Sequence, residues 1–259
     1  MVLKLINIIL FITLVSIIIS SQLPTRELTI FINQDDYINT ISTEEHRKPV
    51  AIIDTGLQFQ LKEFNPYLCL GGHKDFTGEG LQDKIGHGTN VAWNVINGVD
   101  YSKYCLLIIK WYGKHNNDEQ ATYNITKSLN WAYKQNPILI NISGGGLDPI
   151  RQEREILEVI LSKNNTLVVV AAGNYGWNLE KHCDFYPACY FNNQYMNLHV
   201  VGAWDFENHN KASFSNYGSP PITDWANGIR VSGPRGKLIM TGTSQATALI
   251  SNSILKSLK

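Results

Sequence analysis

Four short stretches of this chain carry residue types that could do chemistry together: Asp54 in AIIDTG, His87 in GHGTNVA, Asn174 in VVVAAGN and Ser244 in IMTGTSQATALIS. A serine hydroxyl is a weak nucleophile until an imidazole accepts its proton. The imidazole in turn needs a carboxylate to fix its tautomer and stabilise its cation. A side-chain amide can donate to the oxyanion that then develops, so the chemistry open to such a set is acyl transfer. Taken one at a time the signals are weaker. Ser244 lies in an uncharged run of small residues that a core helix would also show. Six of the 7 histidines sit in ordinary polar or mixed surroundings. His87 differs, standing between two glycines at the start of a helical pattern, where the backbone can approach closely and a side chain is held in a defined direction. Asp54 follows three apolar residues and would lose hydration there unless partnered, by its own turn through Thr55 and Gly56 or by a distant group.

Asp-Thr-Gly after an apolar run also suits an aspartic protease, where two carboxylates share a proton. That chemistry needs a second such triplet or a symmetric dimer. The chain has no second Asp-Thr-Gly or Asp-Ser-Gly, and the Gly-His-Gly and Gly-Thr-Ser segments would go unexplained.

The elements that must position these residues follow from hydrophobic patterning. PVAIIDTG, CLLIIKWYG (105–113), ILINISGGG (138–146), TLVVVAAGN (166–174) and LHVVGA (198–203) read as buried strands. Between them, GTNVAWNVING reads as a helix, as does ATYNITKSLNWAYKQ with Ile125, Leu129, Ala132 and Tyr133 on one face. RQEREILEVILSKN reads as a third, with Ile156, Val159 and Ile160 on its face. Alternation of this kind predicts an α/β fold with a mainly parallel central sheet flanked by helices. Function in such sheets gathers at the carboxyl ends of the strands. Asp54, Ser143 and Asn174 all fall there.

The order Asp54, His87, Asn174, Ser244, carried by four motifs in register between about Val50 and Ser251, resembles the subtilisin-like serine proteases. The resemblance implies the three-layer fold of that family and a set of roles. Ser244 attacks the scissile carbonyl, His87 takes its proton and later donates to the leaving amine, and Asp54 orients His87. The Asn174 amide and the Ser244 backbone N–H form the oxyanion hole. It further implies that Ser143, Gly144, Gly145 and Gly146 pair with the substrate strand and wall the primary pocket opposite Ala172 and Gly173. So glycine-rich a wall predicts an open pocket for bulky apolar or aromatic side chains. KWYGKHNNDEQATY corresponds to the family segment that flanks the substrate's other side. Activity is expected to fall as His87 protonates below neutral pH.

Two departures stand out. Gln245 and Ala248 replace the usual Met and Pro of Gly-Thr-Ser-Met-Ala-x-Pro. Ala248 should give a straighter first turn, and Gln245 is expected to reshape the local pocket. The family's closing helical segment is expected to be trimmed, and Asp54 stands too near the start for a folded inhibitory pro-domain, which leaves room for a separate inhibitor or regulator chain. No cofactor is required. Calcium commonly stabilises the family, but no carboxylate cluster marks a site, so no metal ligands are assigned. A catalytically silent binding protein of the same fold is the competing class.

Composition agrees with a globular domain: 44% hydrophobic and 17% charged residues in 259, with Lys+Arg and Asp+Glu both 22. A balanced charge recruits neither nucleic acid nor anionic membrane, so polypeptide substrates and a monomer are expected. Lys4 followed by an apolar run over 5–19 and then Ser20 and Ser21 reads as a signal peptide over 1–21, with membrane anchoring by 5–19 as the alternative. A short extension over 22–48, with ELTIFI as a strand, precedes a peptidase domain over 49–259. The product is secreted or periplasmic. In that setting Cys69, Cys105, Cys183 and Cys189 allow three pairings. Cys183–Cys189 across DFYPA is favoured, with Cys69–Cys105 as the remainder; free thiols are the alternative. Asn124 and Asn164 stand in glycosylation sequons.

Overall fold

The computed structural model describes residues 46–163 and 165–258. The apolar run 5–19, ELTIFI and Asn164 lie outside them. Among the described residues eight strands form one sheet: β1 (Lys48–Asp54), β2 (Lys74–Asp75), β3 (Tyr104–Lys110), β4 (Leu139–Ile142), β5 (Leu167–Ala171), β6 (Leu198–Asp205), β7 (Asn210–Lys211) and β8 (Asp224–Asn227). The order is β2-β3-β1-β4-β5-β6-β7, with β8 also on β6. Each pairing is parallel except β6 with β7. Four helices accompany it: α1 (His87–Ile96), α2 (Asp118–Lys134), α3 (Arg151–Ser162) and α4 (Thr243–Ser257).

The apolar runs look continuous because both sheet faces are covered, yet side chains still alternate with period two. Ala51, Ile53, Leu107, Ile109, Ile140 and Val168 pack on one face against Ile125 and Leu129 of α2 and Leu157 and Ile160 of α3. Val50, Ile52, Leu106, Ile108 and Leu139 pack on the other against Val91 and Val95 of α1 and Ala246 and Leu255 of α4. The result is three layers. By the same parity Asp54 shares the α1 face with Val50 and Ile52. Asn141 and Ser143 share the α4 face with Leu139.

Helix α2 begins three residues before the sequence-based start because Asn117 and Gln120 form a reciprocal capping box. Helix α4 runs unbroken through Ala248. On α3 the buried residues are Glu153, Leu157, Ile160 and Leu161; Ile160 is buried as expected and Ile156 packs half-buried against the same cluster, but Val159 is exposed. A carboxylate occupies the first buried position. The Asn124 sequon is buried in α2, its amide donating to the Trp111 carbonyl at 3.2 Å.

Both favoured disulfides are present, Cys69–Cys105 with sequence separation 36 and Cys183–Cys189 with separation 6. Loops of those sizes restrict the unfolded chain by about 4 and about 2 kcal/mol respectively. The first ties the segment after the short 3-10 turn 62–67 to β3. His73, in that same region, is buried: Ile108 N–H donates to its Nδ1 at 3.0 Å, so Nε2 carries the proton and donates to the Cys69 carbonyl at 3.1 Å. Burial lowers its pKa to about 4, against the backbone hydrogen bond. Between pH 6.5 and about 4 the unfolded chain therefore binds a proton that the folded chain refuses. Acidification through that window should cost on the order of 3 kcal/mol of stability from this group. In a ring-proton NMR titration His73 should stay neutral down to about pH 4; a midpoint near the ordinary histidine value would contradict the assignment.

Candidate active site

Asp54 ends β1 on the α1 face, 2% exposed. Its Oδ1 accepts from the Thr55 N–H and from His87 Nδ1, each at 2.7 Å. The approach is close because Gly88, the residue after His87, has no side chain: a Cβ there would lie 2.4 Å from the Gly56 carbonyl oxygen and 3.1 Å from Asp54 Oδ1. Gly86 caps α1 in the left-handed region at φ 91°. Burial lowers the basicity of His87, but the Asp54 carboxylate, its hydrogen bond and the more distant Asp83 outweigh that, and the pKa is raised. Asp54 thus faces an imidazole, not the second carboxylate that an aspartic dyad would need.

The helix carrying His87 is held by Asp83, which lies outside the four motifs. Asp83 Oδ2 accepts from Thr89 N–H at 2.8 Å and Thr89 Oγ1 at 2.7 Å, capping the first turn of α1 from outside the helix. Its Oδ1 accepts from Gly86 N–H and from Thr55 Oγ1, while Thr55 Oγ1 accepts from Gly88 N–H. A buried carboxylate four residues ahead of a helix-starting histidine was the available signal. Beneath it Lys110, opposite Asp54 in the β1–β3 register, donates from Nζ to the Gln82 carbonyl at 2.9 Å and lies 3.7 Å from Glu79. Burial pulls that ammonium's pKa down, against Glu79, Asp75 and Asp83.

Ser244 is the second residue of α4 and is buried. Its Oγ donates to the Ser143 carbonyl at 2.8 Å. A relay under it fixes the helix to β4: Ser251 Oγ donates to Asn141 Oδ1, Asn141 Nδ2 to Ser143 Oγ, and Ser143 Oγ to the Ser244 carbonyl at 3.1 Å. The Ser244 N–H lies in the first turn of α4, where no preceding helical carbonyl reaches it. Asn174 follows β5. Its Oδ1 accepts from both the N–H and the Oγ1 of Thr243, each at 2.9 Å. The backbone donor demands an acceptor, so the amide orientation is set, and Nδ2 lies by Gly242, the residue before α4, where a Cβ would come within 3.4 Å of it.

Gln245 does not reach the substrate side. It is 1% exposed, and its Nε2 donates to Asn90 Oδ1 at 3.2 Å, while Asn90 Nδ2 donates to the carbonyls of Val231 and Leu238. The expected reshaping of the pocket gives way to a hydrogen bond joining the helix of His87 to the helix of Ser244.

Gly144, Gly145 and Gly146 line a cavity of about 360 Å³ together with Trp111, Tyr175 and Tyr186. Gly146 already exchanges both backbone bonds with Tyr186 at 2.9 Å. Ala172 and Gly173 are buried and do not line this cavity; the Gly173 N–H donates to Thr243 Oγ1 at 3.2 Å. The lining is not purely apolar either, because Glu153 contributes to it. Among the described residues no group of three or more His, Cys, Asp or Glu is placed to hold a metal ion.

Residues 48–259 match the model of the subtilase family. Subtilisin BL of Lederbergia lenta is 33% identical over 180 residues, 66% of this chain and 60% of that protein. The subtilisin-like proteinase Mp1 of Magnaporthiopsis poae is 31% identical over 223 residues, 79% of this chain and 51% of that protein. The chain thus spans about two-fifths to three-fifths of the length of the curated relatives it matches. Among solved structures, a cold-adapted subtilisin-like serine proteinase aligns with TM-score 0.66 at 18% identity, covering 86% of this chain and 82% of that one. The epidermin leader peptide processing serine protease from Staphylococcus aureus aligns with TM-score 0.67 at 18% identity, covering 82% and 65%. These likenesses extend the fold assignment. A family match that begins on β1 and takes in every strand and helix described above makes the chain a member of the subtilase family.

Proposed function

We propose that the chain is an exported serine endopeptidase that hydrolyses peptide bonds of polypeptide substrates through Asp54, His87 and Ser244. What supports this above all is the 2.7 Å hydrogen bond between Asp54 Oδ1 and His87 Nδ1, which leaves Nε2 of a neutral imidazole as the acceptor. The Ser244 hydroxyl turns from the Ser143 carbonyl to that nitrogen, loses its proton to it and attacks the substrate carbonyl. His87 becomes a cation, stabilised by Asp54. The new oxyanion takes hydrogen bonds from Asn174 Nδ2 and the Ser244 N–H. As the C–N bond breaks, His87 returns the proton to the leaving amine, and water then repeats the sequence to release the acid.

The apolar run over 5–19 and two disulfides support export of a peptidase domain over 49–259, with 1–21 as signal and 22–48 as extension. Control by a separate inhibitor chain, a monomeric state and activity without a required cofactor are further parts of the proposal. Replacing Asn174 with Ala should lower kcat by about 10²–10³, the scale known for this donor in subtilisin, with KM little changed. Steady-state kinetics on a chromogenic peptide check it, and an unaltered kcat would remove Asn174 from the oxyanion hole.

A second reading, a catalytically silent binding protein, is favoured by one observation: the Ser244 hydroxyl is committed to the Ser143 carbonyl. Digestion of a denatured protein mixture with the cleavage sites mapped decides between them. Cleavage abolished by Ser244→Ala supports the peptidase; an intact mixture beside a folded chain supports the binder.

A further inference from the structure

Glu153 is a carboxylate set in the apolar stripe of α3, 3% exposed. The buried part of the lining of the 360 Å³ cavity is Ala121, Ile125, Ile142 and Glu153. Glu153 Oε2 accepts from the Tyr190 hydroxyl at 2.7 Å. That hydroxyl is itself fixed by the Ile150 N–H, which donates to it at 2.9 Å. Glu153 Oε1 accepts no hydrogen bond among the described residues, and the side chain borders the cavity. The other charged residue of the lining is Asp148, exposed at the surface; no Lys or Arg lines it. Arg151 on the same helix points outward to Glu155, and Arg154 lies over Phe191.

A buried acid with a vacant acceptor disfavours a purely apolar occupant, because filling the cavity would seal that acceptor away from water. The walls suit an aliphatic stem ending in a cation: Trp111, Tyr112, Tyr175 and Tyr186 contribute aromatic side chains, and the remaining charge is negative. Burial pushes Glu153 up to about 7, with the Tyr190 hydrogen bond opposing. A cation seated beside it would hold it ionised at neutral pH. The cavity also lies beside the reacting centre, since Gly144 follows Ser143, whose carbonyl touches Ser244 Oγ.

We propose that this cavity is a specificity subsite for a basic side chain, lysine or arginine, of the polypeptide substrate, with Glu153 as the residue that receives the cation. The assignment rests on the endopeptidase reading. It replaces the expectation of a pocket selective for bulky apolar side chains.

The test maps cleavage of a peptide library by the full chain and by its Glu153→Gln variant, which keeps size and the Tyr190 contact. The wild type should select Lys or Arg at one fixed position relative to the cleaved bond. At that position the ratio of kcat/KM for a Lys peptide over its norleucine counterpart should fall about tenfold or more in E153Q. A wild type without basic selection at any position, or an unchanged ratio in E153Q, would overturn the proposal. If the wild type cleaves nothing, the peptidase reading fails separately, and calorimetric binding of the same two peptides reads the subsite. Preference for the Lys peptide, lost in E153Q, sustains it; equal binding of both overturns it.

Discussion

Ser244→Ala should lower kcat about 10⁶-fold while leaving a folded protein, the scale that loss of this nucleophile has in subtilisin itself. The fold should survive because the change removes one oxygen whose described hydrogen bond is to the Ser143 carbonyl. The positions around it are held by other groups: Thr243 by Asn174, and the Ser244 carbonyl by Ser143 Oγ. The Ser143 carbonyl, an acceptor at a partly open site, can turn to water. Peptide hydrolysis with near-UV circular dichroism on the same sample checks both halves. A folded variant retaining a tenth of the activity would mean that the hydroxyl is not the nucleophile.

Asp54→Asn carries the next largest effect, a drop of about 10⁴ in kcat with substrate binding largely kept. An amide at this position can present N–H to His87 Nδ1, which moves the ring proton to Nε2 and leaves Ser244 without an acceptor. The pH profile separates this from general damage. Burial lowers the basicity of His87, and Asp54 more than restores it, so the wild-type pKa lies above the ordinary histidine value of 6.5. Activity requires the neutral ring, so the wild-type acid limb of kcat/KM should fall off from above that value. In the variant the limb should move to lower pH, because desolvation remains while the carboxylate is gone. A limb that stays in place would show that His87 does not feel Asp54.

Much of this arrangement was legible in the sequence because the site is built on strand ends. Parity along β1 places Asp54 on the α1 face, and the two glycines around His87 announce the close approach that Gly88 makes to Gly56. The disulfide pairing was legible for a similar reason, as only a short span separates Cys183 from Cys189. What escaped reading was set by contacts distant in sequence. Gln245 meets Asn90 across 155 residues, a role that leaves no local pattern, whereas Asp83 lies only four residues before His87 and leaves a local signal outside the four motifs. Glu153 carried no signal because helical periodicity takes charged residues as solvent-facing, while here the acid belongs to the buried stripe.

The reactivity of one hydroxyl tests the catalytic set most directly. Treatment of the folded chain with a fluorophosphonate, followed by intact-mass measurement and peptide mapping, should give one adduct per chain on Ser244. The labelling rate should decline as pH falls through the His87 titration, and Ser244→Ala should take no label. A folded chain that stays unmodified at neutral pH, or that is modified elsewhere, would contradict the assignment of Asp54, His87 and Ser244 as a catalytic set.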